Sequence, residues 1–191
     1  MSLGFANKVT IFRILAVPIF IASILYYNPQ RDFLRFISLG IFSLAVLSDV
    51  IDCYIARTRR EKTKAGAILD PLADKLLLIS AFISLYLISN FPAGIKFPLW
   101  VALIAISRDV IILLGAVVTF IIKQNINISP TRWGKLTTTF QMVSVITVLM
   151  QWRISSLFWS IAVFFTIISG VDYIRRGFKI LYGVDNSSNT K

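Results

Sequence analysis

Ser48-Asp49-Val50-Ile51-Asp52-Cys53-Tyr54-Ile55-Ala56-Arg57 is followed, beyond a short basic connection, by Gly66-Ala67-Ile68-Leu69-Asp70-Pro71-Leu72-Ala73-Asp74-Lys75. Together these stretches set four carboxylates into two otherwise apolar runs. Asp49 and Asp52 are three residues apart and Asp70 and Asp74 four apart, so in helices each pair shares one face. The connection, about nine residues from Arg57 to Ala65, is short enough to make the two helices antiparallel neighbours. A helix pair whose joined ends bring four acids together is therefore predicted.

The surroundings of that pair are a bilayer by composition. Of the 191 residues 57% are apolar and 15% charged, which is more apolar surface than one soluble core of this size can bury. The mean hydropathy of +0.77 says the same. A crossing helix needs about 20 mostly apolar residues, so the chain has room for roughly six. Apolar runs separated by turn formers place spans at about 9–27, 34–56, 65–89, 97–122, 136–152 and 155–173. The predicted fold class is all-α: a polytopic membrane protein with six transmembrane helices, one domain over 1–183 and a disordered polar tail at 184–191. The first apolar run continues past Tyr26 without a small-residue cleavage site, so it is expected to stay in the mature protein.

Lysine and arginine give the orientation. Fourteen of them fall on one side: Lys8, Arg13, Arg57, Arg59, Arg60, Lys62, Lys64, Lys123, Arg132, Lys135, Arg175, Arg176, Lys179 and Lys191. The other side has Arg31, Arg35, Lys96 and Arg153. The positive-inside rule then puts both termini and the 57–65 connection in the cytoplasm. Basic loops facing anionic lipid account for the net charge of +11 without nucleic acid. The aromatic residues Trp100, Trp133, Trp152 and Trp159, near span ends, read as interfacial anchors.

Four acids in apolar helices need compensation, because each charge inside a bilayer is costly and like charges repel. The chain has no histidine and only one cysteine, Cys53, so neither a zinc site nor a disulfide is expected. Oxygen ligands alone favour Mg²⁺, Mn²⁺ or Ca²⁺. Two divalent ions balance four carboxylates and leave coordination positions for a diphosphate. With no histidine, proton transfer near neutral pH falls first to a carboxylate. Two simpler readings compete: local ion pairs, such as Asp52 with Arg57 or Asp74 with Lys75, and an ion path through a small divalent-cation transporter.

The same residues resemble the CDP-alcohol phosphatidyltransferase family, whose motif has two aspartates three apart, then Gly, two residues, Ala-Arg, eight residues, Gly, three, Asp, three and Asp. Asp49, Asp52, Ala56, Arg57, Gly66, Asp70 and Asp74 fall in register, and Cys53 stands where the family has glycine. The segment Phe5-Ala6-Asn7-Lys8-Val9-Thr10-Ile11-Phe12-Arg13 is similar to the family's amino-terminal stretch. Asp70-Pro71-Leu72-Ala73-Asp74-Lys75 is similar to the branch making phosphatidylglycerol phosphate or cardiolipin. Trp133-Gly134-Lys135-Leu136-Thr137-Thr138-Thr139-Phe140-Gln141-Met142 looks like the fifth-span entry of phosphatidylglycerol phosphate synthases.

The resemblance implies a six-helix homodimer in the bacterial inner membrane, with its active site at the cytoplasmic face. It implies transfer of a phosphatidyl group from CDP-diacylglycerol to an alcohol, here glycerol 3-phosphate, with release of CMP. Two Mg²⁺ or Mn²⁺ ions are implied on Asp49, Asp52 and Asp70, with Asp74 near them as the base for the acceptor hydroxyl. Asp52, Cys53, Ala56, Arg57 and Gly66 are expected at the nucleotide, and Arg108 and Lys135 at the acceptor phosphate. Ser107-Arg108-Asp109-Val110 is closer to the cardiolipin synthases of the family, which use phosphatidylglycerol as acceptor, so that acceptor is the alternative.

Overall fold

A computed structural model of the chain describes residues 5–59, 64–88, 91, 95–123 and 132–188, with side chains described over 11–48, 51, 73–88, 91, 95–115 and 133–175. The described residues form six α-helices and no strand. They are α1 (Phe5–Leu25), α2 (Phe33–Arg59), α3 (Lys64–Leu87), α4 (Leu99–Lys123), α5 (Arg132–Leu149) and α6 (Ser155–Ser188). Each covers one of the six apolar runs read from the sequence. α2 and α3 extend further into the connection than expected, and 60–63 between them lie outside the described residues. α6 continues to Ser188, so the stretch 184–188, expected in the disordered tail, is helical. No glycine or proline caps that helix at Tyr173, and the pattern Ile174, Phe178, Leu181 carries the helical spacing onward.

The turns follow from their sequences. Asn28, in an extended conformation, accepts at its side-chain oxygen from the Gln30 amide, and Pro29 opens a short 3₁₀ turn over Pro29–Arg31. Asp32 then grips Arg35 with both oxygens, at 2.8 and 2.7 Å, and Arg35 Nη1 donates to the Leu149 carbonyl at 3.3 Å. Arg35, counted with the loop cations in the sequence, is thus a buried tie between the start of α2 and the end of α5. α5 closes with the Gln151 amide on the Val148 carbonyl and the Trp152 amide on the Thr147 carbonyl. This is the paired bonding of a left-handed C-terminal cap. Gln151 supplies the left-handed residue with φ of 54°, and its side chain donates to the Tyr27 hydroxyl at 3.2 Å.

Helix packing is most extensive between α5 and α6, then between α1 and its two neighbours α3 and α2. α3 lies centrally, touching α1, α4 and α5. Among the described residues α2 and α3 are not an extensively packed pair, so α1 joins the hairpin that the short connection led us to expect. Phe20 of α1 meets Phe42 of α2 with ring centroids 5.8 Å apart, and Ser23 and Ser38 share a 2.7 Å hydrogen bond. Phe82 of α3 meets Phe97 just before α4 at 4.9 Å, and Phe140 of α5 stacks on Phe165 of α6 at 5.0 Å. Small hydroxyl residues bonding across helix pairs, as Thr137 does to the Phe165 carbonyl at 2.9 Å, are the glue expected where the surroundings are as apolar as the core.

The outside of the bundle is apolar too. Leu15, Ile19, Leu44, Leu47, Leu103, Leu114, Phe164 and Ile167 are all more than half exposed. Such a continuous greasy exterior is foreign to a soluble monomer. Among the described residues the segment Ser155–Arg175 is by itself long and apolar enough to cross a membrane, and shorter apolar stretches run Ile11–Leu25 and Phe33–Ser48.

Candidate active site

The buried stripe of α1 begins with a charge. Arg13, Ala16, Phe20 and Ile24 recur at three- and four-residue spacing and all point inward, and Arg13 is only 1% exposed. Its Nη1 donates to Oδ1 of Asp74 on α3. Of the four aspartates singled out in the sequence, Asp74 is the one whose side chain is described, and it is 23% exposed. Asp49 and Asp52 lie on the described backbone of α2 and Asp70 on that of α3, with side chains outside the described residues; the same holds for Cys53, Ala56, Arg57 and Gly66. Among the described residues no group of three or more metal-ligating side chains comes together.

Lys75 follows Asp74 directly but turns elsewhere. Successive residues on a helix point about 100° apart, so the two side chains serve different neighbours. Lys75 Nζ reaches Oδ1 of Asp109 on α4 at 2.7 Å. The same oxygen accepts from Arg108 Nη1, also at 2.7 Å, and Arg108 Nη2 donates to Ser169 Oγ on α6 at 2.6 Å. Asp109 is 2% exposed and Arg108 6%. One carboxylate thus answers two cations and ties α3, α4 and α6 together at one level. The α4–α6 approach is close nearby: a Cβ on Gly115 would lie 3.0 Å from the Tyr173 ring, and one on Gly170 would lie 3.9 Å from the Arg108 stem. The local pair of Asp74 with Lys75, one of the simpler readings of the sequence, does not form.

Lys135, expected with Arg108 at the acceptor, sits exposed on the first turns of α5, with Thr139 Oγ1 donating to its carbonyl at 3.0 Å. The two cations are therefore unlike. Lys135 faces outward, whereas Arg108 is committed to a buried junction. Removing one bond from that junction has a definite expected cost. Ser169→Ala leaves a buried guanidinium N–H without its acceptor and should destabilise the protein by about 1.5–3 kcal/mol. Thermal melting of the purified protein checks this, and an unchanged midpoint contradicts it.

Arg13 is the residue that sequence reading missed. It was counted with the cytoplasmic loop cations, yet it lies inside the bundle against the carboxylate expected to do the chemistry. Its spacing from Ala16, Phe20 and Ile24 carried the signal, but α1 is apolar on all sides, so nothing in the sequence told which face turns inward.

The comparison with known proteins adds the decisive fact. A profile of the CDP-alcohol phosphatidyltransferase family matches residues 3–168. The chain belongs to that family. It is accordingly a transferase, and the reading as a divalent-cation transporter falls. The chain is 28% identical over 190 residues to a Mycobacterium tuberculosis (strain H37Rv) protein named probable phosphatidylglycerophosphate synthase, covering 96% of this chain and 86% of that one. It is 29% identical over 184 residues to the CDP-diacylglycerol--glycerol-3-phosphate 3-phosphatidyltransferase of Aquifex aeolicus, covering 92% and 97%. A protein of the same name from Haemophilus influenzae is 35% identical over 136 residues, covering 71% and 70%. The family match spans α1 through the first part of α6 and takes in Arg13, all four aspartates, Arg108 and Lys135.

Proposed function

We propose that the chain is a membrane-embedded enzyme of phospholipid biosynthesis. It moves the phosphatidyl group of CDP-diacylglycerol to a hydroxyl of glycerol 3-phosphate, giving phosphatidylglycerol phosphate and CMP. The observation that carries this reading is the register of Asp49, Asp52, Ala56, Arg57, Gly66, Asp70 and Asp74 in a chain whose relatives bear that synthase's name. Ser107-Arg108-Asp109-Val110 favours phosphatidylglycerol as the rival acceptor.

The donor set suits hard divalent cations, since every expected ligand is a carboxylate and the chain has no histidine. Asp49, Asp52 and Asp70, with Asp74 beside them, would hold two Mg²⁺ or Mn²⁺ ions, which when bound would polarise the diphosphate and offset charge on the departing CMP. Asp74 takes the proton of the acceptor hydroxyl as that oxygen bonds to the phosphatidyl phosphorus and the bond from this phosphorus to CMP breaks. Asp52, Cys53, Ala56, Arg57 and Gly66 line the nucleotide. Lys135, exposed on α5, and Arg108, which also holds α4 against α6, serve the acceptor phosphate.

The six helices are the six spans of one membrane domain over 1–183. α5, the shortest at 18 residues, is about 27 Å long at 1.5 Å per residue, close to the hydrocarbon thickness. Both termini face the cytoplasm of a bacterium, the site opens at that face of the inner membrane, and two copies form a homodimer.

The test is an acceptor screen. Purified protein with Mg²⁺ and CDP-diacylglycerol is given glycerol 3-phosphate or phosphatidylglycerol, and CMP release and lipid mass are measured. Phosphatidylglycerol phosphate is the expected product, and silence with every alcohol refutes the reading. In the same assay Asp49→Asn or Asp70→Asn should raise the Mg²⁺ concentration for half-maximal rate by about tenfold or more, since even outer-shell losses weaken metal sites by about 10–100-fold. An unchanged Mg²⁺ requirement removes these residues from the metal site.

A further inference from the structure

The proposed base does not stand alone. We infer that Arg13 is a positioning residue for the transfer, holding the Asp74 carboxylate from beneath so that it meets the acceptor hydroxyl; the inference rests on the reading of Asp74 as proton acceptor. Three observations carry it.

The first is asymmetry of burial. A carboxylate that is to work on a third group must keep an open face within hydrogen-bond reach of it, whatever holds its other side. Here the cation is 1% exposed while the carboxylate side chain is 23% exposed, so Arg13 approaches from inside and Asp74 looks outward.

The second is the choice of partner. Lys75 is adjacent in sequence and Asp109 keeps it occupied, along with Arg108. Asp74 instead pairs with a cation from another helix, and α1 supplies it. Arginine brings a planar fork that fixes the direction of a carboxylate, which a flexible ammonium does not.

The third is what holds Arg13. Ala16, Phe20 and Ile24 on the same stripe of α1 are buried, and α1 packs against both α2 and α3, the two helices that carry the four aspartates. A guanidinium on that stripe is fixed by the core, so the direction of the Asp74 carboxylate is set by the packing of the bundle. A displacement of about 1 Å in such a group costs on the order of a hundredfold in rate.

The test compares wild type with R13Q, R13K, D74N and R13Q/D74N as full-length protein. CMP release gives kcat and KM, and thermal melting without metal or substrate gives a readout independent of turnover. R13Q should lower kcat per folded molecule by about a hundredfold with KM for CDP-diacylglycerol within about twofold, the split expected of lost positioning. R13K, which keeps the charge, should recover about tenfold of that loss, charge without the fork being worth part of the effect. In melting, R13Q and D74N should each lower the midpoint and R13Q/D74N should fall no further than the worse single variant, the mark of coupled partners. R13Q with more than half the wild-type kcat, or additive melting shifts, overturns the inference while leaving the proposed function intact. A wild type that releases no CMP with any alcohol overturns the proposed function and the positioning role with it, while coupled melting still reports the ion pair.

Discussion

Asp74→Asn is expected to cut turnover by about 10²–10⁴-fold, the usual worth of a positioned proton acceptor, while CDP-diacylglycerol binds with near-normal affinity. The amide matches the carboxylate in size, so the packing around α1 and α3 is nearly preserved. Its oxygen still accepts one hydrogen bond from Arg13 Nη1, the atom that bonds Asp74 Oδ1 in the native protein. What is lost is the capacity to take a proton, because an amide oxygen is far too weak a base at neutral pH. The measurement pairs the rate of CMP release with equilibrium binding of the CDP-lipid. Turnover within threefold of wild type removes Asp74 as the base. A parallel collapse of binding makes it a nucleotide or metal ligand first. The prediction is distinct from that for Arg13, whose loss weakens the placement of the carboxylate and leaves its chemistry in place.

Much of the fold was legible because the apolar runs are long and the turns between them are marked. Asn28 with Pro29 and Asn90 through Gly94 break the pattern where α1 and α3 end, and all six helices fall on the expected runs. Less legible was which helices touch. A short connection makes α2 and α3 look like direct partners, yet among the described residues each packs chiefly against α1, whose apolar residues run all round it and give no directional stripe. Arg13 escaped for the same reason. The helix at 184–188 was not legible because the polar composition of 184–191 reads as a disordered tail.

The partners of the charged residues were equally hidden. In each of the doublets Asp74-Lys75 and Arg108-Asp109 the sequence invites a local pair. The first doublet splits between α1 and α4, and the second closes on itself while recruiting Lys75 and Ser169. Helical geometry allows either result, and tertiary packing decides. The site thus has two adjoining electrostatic layers, one under Asp74 and one joining α3, α4 and α6, connected by the peptide bond between residues 74 and 75.

The second layer depends on one carboxylate, which makes Asp109→Asn the most damaging change to stability. Asp109 accepts from both Lys75 and Arg108 and is almost fully enclosed. Neutralising it leaves a buried guanidinium and a largely enclosed ammonium facing an amide. Breaking a buried pair in this way costs about 3–5 kcal/mol, a large share of the 5–15 kcal/mol that holds a typical protein together. For a chain of this length the melting midpoint should fall by about 6–20 °C. The effect comes from uncompensated charge and not from lost volume, so adding Lys75→Met should restore part of the midpoint by removing one of the stranded cations. A general weakness of the α3–α4 contact predicts the opposite, because the second substitution then adds to the first. D109N melting within a degree or two of wild type shows that the carboxylate is not what holds Lys75 and Arg108. A K75M/D109N variant that melts above D109N ties the stability of the bundle to the balance of charge beside the site.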